Sequence, residues 1–175
     1  MQEPIALKCV YRGQVYPLPL EDTRLANDTT TQRIDALQTL HTSLIFTRNG
    51  YEEAIDQAKA GNHTQLFRDM ASLHTASAAD LALQLTALGV AADTSGSFMS
   101  TVHRTVIDVR SFITGLGDSV VPSLISGEER ILGYYDDAIK ASGSGFPEYP
   151  LLVSQRDALR MKVAEMERMK ARAAA

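Results

Sequence analysis

The chain has no tryptophan and a single cysteine, Cys9. One cysteine excludes an intrachain disulfide, so nothing here implies an oxidising compartment. Aromatic residues make up only 6% of the chain, which argues against a platform for stacking nucleic-acid bases. Basic residues do not predominate either. The formal net charge is -4 at pH 7, so there is no general attraction to nucleic acid. No apolar run reaches the roughly 18 residues that a membrane-spanning helix needs. The opening stretch "MQEPIALKCVYRG" lacks the long apolar core of a secretion signal. A cytoplasmic protein with no membrane partner is expected. Also missing are a nucleophile elbow, a Cys-x-x-Cys pair and a His-Glu-x-x-His helix. "SGSGF" at 142–146 is a flexible break and not a phosphate cradle, because no Gly-Lys-Ser/Thr follows it.

What the chain does have is helical periodicity. Its 175 residues suit one domain of ordinary size with a small appendage. Residues 1–26 differ from the rest. Ile5, Leu7, Cys9 and Tyr11 alternate with Ala6, Lys8 and Val10 on one side of "RGQ", and Val15, Tyr16, Pro17 and Pro19 follow it. That pattern predicts a short β-hairpin and an extended segment. An isolated hairpin is marginal in water, so it is expected to dock on the main body or on a second copy of the chain.

Residues 27–175 are expected to form the main domain. "NDTTTQ" offers N-cap residues for a first helix over 30–60, with Ile34, Leu37, Leu40, Leu44, Tyr51, Ala54 and Ile55 apolar. A second helix is predicted over 63–88 and ends at Gly89, as a C-cap should. A third is predicted over 97–114, a fourth over 123–140 and a last over 150–172. Long helices joined by short polar loops predict an antiparallel bundle. From Gln155 onward six Lys/Arg face three Asp/Glu, the pattern of a solvated helix face.

One residue breaks the pattern. The fourth helix carries an apolar stripe through Val121, Leu124, Ile125, Ile131, Tyr135 and Ala138, and Glu128 falls on it. A buried carboxylate is costly unless it is paired or hydrogen-bonded. Two explanations stay open. Glu128 pairs with Arg104, His103 or a tyrosine hydroxyl and fixes the helix register, or it is a metal ligand or an acid of raised pKa. His74 flanks Leu73 and Met70 and is expected to be a packed or solvated histidine. Tyr51, Tyr134 and Tyr135 are expected to be core or interface aromatics.

"LFRDMASLHTASAADLALQLTALG", "GSFMSTVHRTVIDVRSFITG" and "LISGEERILGYYDDAI" together resemble an uncharacterised bacterial family of ferritin-like four-helix-bundle domains. The resemblance spans roughly Thr30 to Arg172. Its marks are Gly50-Tyr51, Gly96-Ser97, Arg104, Asp108 and Gly127-Glu128-Glu129 with tyrosines following. It implies an all-α, ferritin-like antiparallel four-helix bundle, here with an extra N-terminal β-hairpin. Function in such a family is unknown, with a suspected role in stress, so the resemblance implies a fold and not an activity.

Ferritin-like proteins hold two metals with a Glu from each of two helices and a Glu-x-x-His pair from each of the other two. None of His41, His63, His74 and His103 has a glutamate three residues away on either side. Val163 stands where relatives tend to carry an inward histidine. Two functions are therefore carried forward. The first is a non-enzymatic structural or interaction role, with a homodimer or another protein as partner and no cofactor. The second is a metal-binding protein for iron storage or oxidation, with iron or manganese at an incomplete site of Glu128, His103 and Glu53.

Overall fold

A computed structural model of the protein describes residues 8–11, 14–17, 20–58, 63–90 and 120–174. Two short strands, β1 (Lys8–Tyr11) and β2 (Gln14–Pro17), pair antiparallel. Lys8 lies opposite Pro17, and Tyr11 opposite Gln14. Pro17 sits at a strand end, where its missing N–H costs least. The turn residues Arg12 and Gly13 lie outside the described residues.

Among the described residues four helices make up the body: α1 (Leu20–Ala58), α2 (Thr64–Ala87), α3 (Val120–Ser142) and α4 (Tyr149–Ala173). The third helix expected over 97–114 lies outside the described residues, as do His103, Arg104 and Asp108.

Helix α1 starts ten residues before the position the cap signal predicts. "NDTTTQ" lies inside it, and the division expected after residue 26 falls within it. The reason is local. "LEDTRLA" contains neither Gly nor Pro and is rich in good helix formers, so nothing stops the helix short of Pro19. Proline is tolerated at a helix start because it has no N–H to leave unpaired there.

The other boundaries have visible causes. At the end of α2, Val90 N–H donates to Leu85 C=O (3.0 Å) and Gly89 N–H to Thr86 C=O (2.9 Å). This is the paired closure of a Schellman cap, with Gly89 at φ +76°. Gly143 closes α3 in the simpler left-handed way, at φ +65°, donating to Ile139 C=O at 2.9 Å. Pro150 lies in the first turn of α4, a position where proline is favoured.

Helix α1 packs on α2 and α3, and α3 packs on α4. Side chains join α4 to α2: Lys162 meets Asp69 at 3.5 Å, and Gln155 meets Asp80 at 3.3 Å. Numbers rise along one helix of this pair as they fall along the other, so the neighbours are antiparallel. The described helices form an antiparallel bundle, with α2 and α3 on one diagonal. Leu37, Leu40 and Leu44 of α1, Phe67, Met70 and Leu81 of α2, Tyr135 of α3, and Leu152, Leu159 and Met166 of α4 fill its centre, each below 2% exposed. Val163 of α4 is half-buried against this core.

At one end a buried charge pair ties the α3–α4 turn to α1. Arg33 Nε lies 3.2 Å from Glu148 Oε1, and the guanidinium sits 3.9 Å from the centre of the Phe146 ring. The contact is an ion pair and not a well-directed hydrogen bond. Glu148 occupies the N-cap of α4 without capping it, because its side chain is committed to Arg33.

A buried tyrosine, histidine and carboxylate at the bundle centre

Glu128 lies on the inner face of α3, 1% exposed. The helical repeat that places Leu124, Ile125, Ile131 and Tyr135 in the core places Glu128 there too. From α1, the Tyr51 hydroxyl donates to Glu128 Oε1 at 2.6 Å. From α2, His74 Nε2 lies 3.0 Å from the same oxygen. The carboxylate accepts, so Nε2 carries the hydrogen. The two rings stack, with centroids 5.8 Å apart and planes at 16°. Phe67 also packs against Tyr51, tilted by 40° with centroids 6.2 Å apart.

Burial pushes the Tyr51 hydroxyl well above its ordinary pKa of 10, and the charge on Glu128 and the hydrogen bond to it push the same way. Tyr51 therefore works as a neutral donor. About two turns along α3 from Glu128, burial pushes Tyr135 up to about 12, against a hydrogen bond from Ser77 that works the other way. Tyr135 donates to Gln155 at 3.3 Å, and Gln155 Nε2 reaches the Ser77 carbonyl at 3.4 Å. Buried hydrogen bonds thus gather around Glu128 and, further along α3, around Tyr135 and Gln155.

The site residues expected from sequence fare differently. Glu128 is at the centre of the cluster. A tyrosine hydroxyl, one of the three partners considered for it, is its partner here. Glu53 is exposed, because it lies two residues beyond Tyr51 and so on the far side of α1. His103 lies outside the described residues. Among the described residues, no group of three His, Cys, Asp or Glu side chains is placed to hold a metal ion. His74, expected to be an ordinary packed or solvated histidine, is a member of the cluster. Its spacing was the available signal: it stands four after Met70 and seven before Leu81, in the middle of the buried stripe.

The class of protein is thus a helical bundle with a hydrogen-bonded polar cluster sealed in its core. The chain belongs to the family described as a domain of unknown function (DUF2383), whose model matches residues 32–141. That span contains Tyr51, His74 and Glu128. No curated protein and no solved structure matches the chain. No helix among the described residues is long and apolar enough to cross a membrane.

Proposed function

We propose that the protein is a non-enzymatic, ferritin-like bundle with its hairpin on the N-terminal side. On this reading it is a cytoplasmic bacterial protein that acts by pairing with a second copy of itself, in a stress-related setting that the family resemblance supplies. The observation that carries a structural role is the connectivity of Glu128. One carboxylate oxygen joins α1, α2 and α3 through Tyr51 and His74, inside a core that leaves Glu128 1% exposed. A buried group tied this way selects one register of the helices, since any slip would leave a charge and two donors unpaired.

Self-association is supported by the length of α1. It has 39 residues where α2 has 24, α3 has 23 and α4 has 25. Arg33 sits level with the α3–α4 turn, so the preceding residues 20–32 extend about 20 Å beyond that turn, at 1.5 Å per residue. Residues 28–32 are exposed there. A second copy laid against this overhang would cover it.

Sedimentation equilibrium of the full chain over a hundredfold range of concentration tests this reading. A dimer is expected. A monomer throughout the range would overturn it.

A further inference from the structure

The anomaly in the core is the second oxygen of Glu128. Oε2 is buried, and no described residue hydrogen-bonds to it. A dry, unpaired polar atom costs on the order of 1–3 kcal/mol, and more when it is charged. Beside it, three kinds of donor atom converge: the phenol oxygen of Tyr51, the imidazole Nε2 of His74 and the carboxylate of Glu128. We propose that Tyr51, His74 and Glu128 form a mononuclear ferric iron site, the ion replacing the hydrogens that these groups now share.

The spacing suits an ion. Bonds of about 2.1 Å at right angles put neighbouring donor atoms about 3 Å apart. Tyr51 and His74 stand 2.6 and 3.0 Å from Glu128 Oε1. The orphaned Oε2 supplies a further oxygen on the same carboxylate. The donor set is two oxygen groups and an imidazole, with no thiolate, which suits iron. The tyrosine selects the ferric state. The Tyr51 hydroxyl, held above its ordinary pKa of 10 by burial, keeps its proton at neutral pH unless a strong Lewis acid displaces it, and a trivalent ion does this better than a divalent one.

Binding transfers no electron. The Tyr51 O–H bond breaks, an iron–oxygen bond forms and the proton leaves to solvent. His74 changes tautomer: Nε2 loses its hydrogen, Nδ1 takes one up, and the freed Nε2 lone pair goes to the iron while the ring stays neutral. The two rings already stack on each other, and Phe67 packs against Tyr51, so little reorganisation is needed. The site differs from the paired-metal arrangement of ferritin-like proteins, which needs Glu-x-x-His pairs that this chain lacks. It goes beyond the structural reading, and its test is independent of whether the chain dimerises.

The protein should be stripped with a chelator, loaded with ferric nitrilotriacetate and followed by visible absorption and elemental analysis. One iron per chain and a phenolate-to-iron charge-transfer band are expected. Tyr51→Phe should abolish the band, while Tyr134→Phe should keep it. Glu128→Gln should lower iron affinity at least tenfold. If Glu128→Gln does not fold, Tyr51→Phe, which loses only a hydroxyl, decides the question alone. A colourless loaded wild type, two irons per chain, or a Tyr51→Phe protein that keeps the band would overturn the proposal.

Discussion

Tyr51 and His74 lie on different helices, stack at 5.8 Å with their planes 16° apart, and end on the same oxygen of Glu128. The arrangement sets a hydrogen-bonded polar group inside an otherwise apolar layer. Above and below it the core is Leu40, Leu44, Phe67, Met70 and Leu81, all essentially without exposure. In such surroundings the pair of hydrogen bonds is worth more than at a surface, and an unpaired member costs more.

Removing the acceptor should therefore cost more than removing a donor. Glu128→Ala strands the Tyr51 hydroxyl and the His74 N–H in a dry core, and about 3–5 kcal/mol of folding stability is expected to go. Tyr51→Phe deletes one donor without opening a cavity and should cost only about 1–2 kcal/mol. Urea unfolding of both variants and of the double variant measures the coupling, which for groups in contact should be about 0.5–3 kcal/mol. A coupling of zero would mean that the contact contributes nothing to the fold.

The two buried tyrosines predict alkaline sensitivity. In the unfolded chain both hydroxyls titrate near 10, while in the folded protein Tyr135 holds its proton to about 12 and Tyr51 is also raised. Above pH 10 the folded state binds more protons than the unfolded one, so stability falls as pH rises. Tyr135 alone accounts for a loss on the order of 2–3 kcal/mol between pH 10 and 12, at 1.36 kcal/mol per pKa unit. Thermal melts from pH 8 to 12 should show this decline. Tyr135→Phe should flatten it, and the double change with Tyr51→Phe should flatten it further.

Much of the body was legible in the sequence because its helices bury regular stripes. Leu37, Leu40 and Leu44, Leu66, Met70 and Leu81, and Leu124 through Ala138 all fall in the core that the helical repeat predicts. The inward position of Glu128 was legible for the same reason. Its partners were not, because periodicity places a residue on a face without saying which neighbouring helix it meets. His74 and Tyr51 are 23 residues apart in sequence and meet only through the antiparallel return of α2 along α1. The start of α1 was misread because Asn27, Asp28 and Thr29 look like caps. A cap signal inside a run free of Gly and Pro is overridden by the helix around it.

Two glycines in helix α3 and its cap should respond to alanine with opposite signs. Gly143 sits at φ +65°, in the left-handed region, where a Cβ would meet no neighbour but the backbone itself is strained. Gly143→Ala is expected to cost about 1–2 kcal/mol. Gly133 lies inside α3, exposed, and has open space around its Cα. Gly133→Ala should stabilise the protein by about 0.5–1 kcal/mol, the helix-interior difference between the two residues. Melting both variants beside the wild type checks the pair of signs.

The ion pair at the end of the bundle separates buried from surface electrostatics. Arg33 and Glu148 are 8% and 2% exposed, whereas Arg160 and Asp136, which meet at 3.7 Å, are about half exposed. Glu148→Ala leaves a guanidinium under Phe146 with its charge unmatched, and a loss of about 3–5 kcal/mol is expected. Exchanging both partners together, Arg33→Met with Glu148→Leu, removes the charge and keeps apolar volume, so it should be close to neutral. Asp136→Ala should cost no more than about 1 kcal/mol, and less in high salt. Urea unfolding at 0.05 M and 1 M NaCl reads all three. If the double exchange is as damaging as Glu148→Ala, the ion pair contributes to the fold beyond matching one buried charge with another.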